Sequence, residues 1–145
     1  MIGSRIVSFL FIWGLFAGNL RAEPLFDQLR KAAIQGDAVA QCKLGAAYYD
    51  GDGVAKDAAE AVKWYRKSAE QGNALAQFAL GVALSLGHKL SKNSVEGYAW
   101  LSLAATTNPD AGDLRKEFER ELSSEQISAG QRRCAELSQM IHPVP

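Results

Sequence analysis

From Ala38 to Tyr49 the apolar residues Ala40, Leu44, Ala47 and Tyr48 recur at helical spacing on one face. Asp37 stands just ahead of them, where a side-chain oxygen can accept from the orphan amides of a first helical turn. The run Asp50-Gly51-Asp52-Gly53 breaks the pattern, because glycine accepts positive φ. Asp57 opens a second helical pattern that reaches about Gln71, with the stripe Ala61, Trp64, Tyr65, Ser68 and Ala69. Gly72 follows as a left-handed C-cap. Asn73 then caps a helix to about Leu86, a loop runs through Ser91, and a further helix spans about Ser94 to Thr107. Upstream, Pro24 leads into Leu25, Phe26, Leu29 and Ala33. Downstream, Leu114, Phe118 and Leu122 form an i, i+4 row. Ser123 and Gln126 form a capping-box pair for a last helix carrying Ile127, Cys134, Leu137 and Ile141. No segment alternates with period two for long, so the predicted fold class is all-α.

The pattern repeats. Sliding the chain by 36 positions superposes residues 36–71 on 72–107, with 12 identities: Gly36, Ala38, Ala40, Gln41, Leu44, Gly45, Ala47, Gly51, Lys56, Glu60, Trp64 and Ala69 all recur. Each unit is an antiparallel helix pair, and stacking such pairs buries a continuous core. The organisation predicted is a half-repeat helix over 23–35, repeats over 36–71 and 72–107, and capping helices with a tail over 108–145. Gly45 and Gly81 lie mid-helix, where glycine costs about 1 kcal/mol relative to alanine. Accepted twice at one register, that cost predicts a close helix approach. The expectation is that Trp64 and Trp100 supply the bulk, in equivalent buried slots, each near the glycine of its own unit.

The first 22 residues have a different character. Arg5 precedes a mostly apolar run from Ile6 to Leu20, and Leu20-Arg21-Ala22 ends on a small residue before Glu23. Charge, apolar core and small residue in that order predict a secretory signal peptide cut after Ala22. The run is shorter than the roughly 20 residues of a permanent membrane span. A retained anchor or a buried helix of the fold are the other readings of this segment. The expected location is periplasmic or secreted, with no membrane contact after cleavage.

Hydrophobic residues make up 48% of the 145-residue chain, which suits one folded domain. Sixteen basic side chains balance sixteen acidic ones. Without Arg5 and Arg21 the chain has a net charge of −2, so no basic stripe points to nucleic acid or an anionic lipid surface. Tyr48–Ala59 can be laid on a calcium loop, but the first and last ligand positions are then Tyr48 and Ala59, and no metal is expected there. His88 and His142 stand near no serine or cysteine in a recognisable arrangement. Lys63, Arg66 and Lys67 alternate with Glu60 and Glu70 as a solvated helix face does. Cys42 and Cys134 lie about two units apart along a stack, which predicts two separate thiols. No catalytic residue and no cofactor is predicted.

Leu44-Gly45-x-x-Tyr48-x-x-Gly51-x-Gly53-Val54, then Asp57, Ala61, Trp64-Tyr65, Ala69 and Gly72, resembles the Sel1-like repeat, a relative of the tetratricopeptide repeat with a slightly longer unit. The second unit departs from that pattern, with Leu84 for the tyrosine, Lys89 for the second glycine and Leu101 after the tryptophan. The segments Gly97–Ala105 and Leu122–Ile127 are similar to the C-terminal end of many bacterial members. The resemblance implies a right-handed α-solenoid, a scaffold or adaptor role and an envelope or secreted setting. In such a stack the first helices line the concave side. Lys43, Ala46 and Tyr49, with their counterparts Ala79, Val82 and Ser85, are therefore the candidate partner-binding residues, facing a peptide or one helix of a protein partner. The alternatives are an envelope hydrolase with its site among the C-terminal helices, and a subunit that caps a larger assembly.

Overall fold

The computed structural model describes residues 24–87 and 93–143, and all regular structure among them is helical. The signal-like segment, its cut after Ala22, and His88 lie outside the described residues. The elements are α1 (Leu25–Ile34), α2 (Ala38–Asp50), α3 (Ala58–Glu70), α4 (Ala74–Leu86), α5 (Ser94–Ala104), α6 (Pro109–Glu119) and α7 (Ser124–Ile141). Each packs on the next from α1 to α6, while α7 returns to lie on α5 and touches α3. The result is a short solenoid of antiparallel helix pairs closed at its C-terminal end by two further helices.

Local chemistry sets the helix ends. The carboxylate or amide oxygens of Asp37, Asp57, Asn73 and Asn93 each accept from the amide three residues on, at 2.8, 2.9, 3.0 and 3.1 Å. Ser123 and Gln126 make both bonds of the capping box. Asn108 does more than end the second repeat: with Pro109 in the first turn, it caps α6. Between units, Gly72 turns at φ 88°, so that its own amide reaches the Ala69 carbonyl and the Asn73 amide reaches Ser68. Those bonds satisfy the last carbonyls of α3 and reverse the chain into α4.

The main core gathers Ala61, Tyr65 and Ala69 of α3, Ala76, Leu80 and Leu84 of α4, Trp100 and Leu103 of α5, and Leu137 of α7. Small clusters flank it: Ala33, Ala40 and Leu44 toward the N-terminal end, and Tyr98, Leu101 and Phe118 under the C-terminal helices. Buried amides tie successive units together. Gln41 donates to the Ala33 carbonyl at 3.0 Å, and Gln77 repeats the bond to Ala69 at 3.3 Å. Within the first unit, Gln71 donates to the Gln41 side chain at 2.7 Å, and the Ser68 hydroxyl donates to the Ala38 carbonyl at 2.6 Å. These bonds satisfy polar groups that close helix packing removes from water.

The glycines do mark close approaches, but the bulky partner is the residue after each tryptophan. A Cβ on Gly45 would lie 2.7 Å from the Tyr65 ring, and one on Gly81 would lie 2.8 Å from Leu101 Cγ and 2.9 Å from its backbone nitrogen. The tryptophans turn one helical step away. Trp100 is 0% exposed in the main core, whereas Trp64 is half-buried on the N-terminal cluster, with Lys67 4.4 Å above its ring. The two slots correspond in register and differ in cover, because Trp100 has a complete unit before it and Trp64 has only α1.

Candidate functional site

The predicted partner-binding residues divide by environment. Lys43 is exposed on α2; Ala46 and Tyr49 are half-buried on the same helix and rest on the main core. Ala79 and Val82 are half-buried on α4, where Ala79 rests on the main core and Val82 on the C-terminal cluster. Ser85 is the exception: it is 3% exposed, and a Cβ on Gly97 would lie 2.5 Å from its hydroxyl. Ser85 is thus a packing residue at the α4–α5 crossing, unavailable to a partner. Lys56 stands 5.8 Å from the Tyr49 ring and flanks that aromatic face with positive charge.

Lys43 and Ala46 also line a cleft of about 340 Å³ between α1, α2 and the turn after α2. Leu25, Phe26 and Leu29 form its apolar wall, and Asp50 and Asp52 its acidic end. Leu25 is 82% exposed. In the sequence these α1 residues looked like an ordinary packing row, and one unit on the counterparts of Leu25 and Leu29, Ala61 and Tyr65, are indeed buried. The cleft arises from position in the stack, which residue type does not encode.

The C-terminal helices bring together an ionic cluster. Glu96 on α5 accepts from Arg133 of α7 at 2.7 Å, from Trp100 Nε1 at 3.1 Å and from Arg66 of α3 at 3.4 Å. Burial opposes the charge on Glu96, but the Arg133 and Arg66 guanidiniums outweigh it and hold the carboxyl below its usual range. Tyr98 donates to Glu119 at 2.7 Å, with Arg115 5.9 Å from its ring. Both arrangements bind cap helices to the repeats. Burial, followed by smaller effects of Cys42, Asp50 and Tyr49, pushes the Tyr65 phenol up to about 12, so it stays neutral. Cys42 and Cys134 are both free and half-buried, and burial pushes both thiols up, away from the reactive thiolate. Among the described residues no three or more His, Cys, Asp or Glu side chains gather to hold a metal ion, and no helix is long and apolar enough to cross a membrane.

Comparison with known proteins places these features. The chain superposes on the crystal structure of a protective antigen present in uropathogenic Escherichia coli strains displaying an SLR fold, with TM-score 0.78 and 31% identity. That match covers 90% of this chain and 29% of the antigen, so the chain spans less than a third of its length. A Sel1 repeat protein from Oxalobacter formigenes matches with TM-score 0.56 and 24% identity, over 81% of this chain and 96% of that one, a likeness of fold. No curated protein matches the sequence. The Sel1 repeat pattern itself matches residues 38–73 and 74–106. With the 36-residue period, the paired helices and these likenesses in agreement, the chain carries two Sel1 repeats, over residues 38–73 and 74–106.

Proposed function

We propose that this protein is a non-enzymatic interaction module of the bacterial envelope or secreted space, which holds a peptide or one helix of a protein partner along α2 and α4. One observation carries the reading. The recurring apolar residues and glycines are consumed in packing, while Lys43, Ala46 and Tyr49 on α2, with Ala79 and Val82 on α4, remain open or half-open on successive first helices. Residues at one register on parallel helices offer fixed spacing to a ligand, which suits recognition. Sel1 repeats are commonly protein-interaction scaffolds, and fold-level analogy of this kind supports a role without supplying a partner.

Export rests on the order of charge, apolar run and small residue in residues 1–22. The structural relative's description as a protective antigen fits a location outside the cytoplasm. The test is affinity capture from envelope extract with the purified protein, read by mass spectrometry. A stoichiometric protein partner is expected. Its absence, together with turnover of an envelope substrate by the pure protein, would refute the reading.

A further inference from the structure

The repeat itself shows what the N-terminal cleft is built to hold. Across 36 positions Leu25 corresponds to Ala61, Leu29 to Tyr65 and Ala46 to Val82. One unit on, Ala61 is 0% and Tyr65 6% exposed, because α2 lies on α3 with Gly45 against the Tyr65 ring. At the N-terminal end the same register gives Leu25 at 82% exposure and the cleft of about 340 Å³ between α1 and α2. A helix placed there would continue the α2–α4 series by one step, so it would run parallel to α2. Its C-terminal end would fall beside Asp50 and Asp52, both exposed and acidic. In the internal seat the position equivalent to Asp50 is the uncharged Leu86, so the acidic end belongs to this cleft.

We infer that the cleft is the seat of one amphipathic helix from a partner protein, with a small residue opposite Leu29 and a basic residue at its C-terminal end. This inference rests on the proposed binding role and adds a second, terminal site to it. The small residue is required because Leu29 stands where Tyr65 meets Gly45. The basic residue is favoured twice, by the two carboxylates and by the negative end of its own helix dipole. A second copy of this chain is a poor occupant. Gly45, Gly81, Gly97 and Gly130 already face Tyr65, Leu101, Ser85 and Tyr98. The opposite end of the stack is closed by α6, whose Asp113, Lys116 and Glu117, with Arg120 just past its end, are exposed and charged.

The probe is a synthetic peptide with the sequence of α2, Ala38–Asp50, carrying Asp50→Lys, labelled and titrated with the purified protein by fluorescence anisotropy. Saturable binding is expected. Leu25→Glu in the protein, at a side chain already in water, should weaken it about tenfold or more without changing the melting temperature. Leu29→Glu, at a half-buried side chain that also packs on the N-terminal cluster, should weaken it too and lower the melting temperature as well, and a peptide with Gly45→Leu should fail to bind. Asp50→Lys with Asp52→Lys in the protein should weaken this peptide and restore binding of one whose last residue is Glu. No binding, or binding indifferent to Leu25→Glu, would overturn the inference. A dimer in sedimentation that Leu25→Glu dissolves would name a second copy as the occupant and overturn it equally. So would peptide refusal by the full chain alongside acceptance by a chain starting at Glu23, which would name the chain's own leader. Leu25→Glu leaves Tyr49, Ala79 and Val82 intact, so captured-partner binding through the α2–α4 face reports separately on the proposed function.

Discussion

Replacing Trp100 by alanine, beside the same replacement of Trp64, gives the packing account an internal control. Trp100 is 0% exposed in a core built from α3, α4, α5 and α7. Removing a buried indole costs the transfer energy of its ring and leaves a cavity that helices on three sides cannot fill, about 3–5 kcal/mol. Its Nε1 bond to Glu96 is also lost, but the carboxylate retains Arg66 and Arg133, so little unsatisfied charge is left behind. Trp64 is half-buried at the end of the stack, and its Nε1 is enclosed with no hydrogen-bond partner among the described residues, while Glu60, at the position of Glu96, pairs with Lys63 at 2.9 Å. Trp64→Ala should cost about half as much or less, since less area returns to water. Urea unfolding followed by circular dichroism reads both. With a slope of about 2 kcal/mol per molar, Trp100→Ala lowers the midpoint by about 2 M. Coincident fluorescence and dichroism transitions check that the repeats unfold together. A loss below about 1 kcal/mol for Trp100, or a larger loss for Trp64, would refute the assignment of the two slots.

Other expectations follow from the same contacts. Gly81→Ala should destabilise by about 1–3 kcal/mol despite its better helix propensity, because the new methyl meets Leu101 backbone at 2.9 Å; a stabilised variant in thermal melts would contradict the close approach. Glu96→Gln should cost about 1–3 kcal/mol at neutral pH. The folded carboxyl lies below its unfolded range, so this contribution is present above the unfolded pKa and fades as pH falls through the folded one; a variant deficit that stays constant into strong acid would exclude the Arg66–Glu96–Arg133 link as its source. Export with cleavage after Ala22 predicts an intact mass for the mature chain beginning at Glu23, and any other start would count against it.

The helix starts were legible because capping is local: Asp37, Asp57 and Asn73 each satisfy an amide three residues on. The repeat was legible because stacking demands small residues at fixed register. The partner of Gly45 and Gly81 was not, since Trp64 and Tyr65 share one apolar stripe and are only one helical step apart. The crossing of α2 on α3 decides which of them meets the glycine, and that crossing depends on the whole stack. The half-exposure of Trp64 and the openness of Leu25 have a similar origin, for identical registers acquire different cover at the end of an array. Ser85 looked available in a list of first-helix positions, but Gly97 brings α5 too close to leave it open.

Recognition through the first-helix face is tested most directly by the affinity of a protein captured from envelope extract for a Lys43→Asp, Tyr49→Ala double variant whose dichroism spectrum matches the parent. Lys43 is exposed and Tyr49 half-buried, so reversing one charge and removing one aromatic surface strips that face while the stack remains. Loss of capture with the fold intact is expected. Undiminished capture by the folded double variant would contradict it.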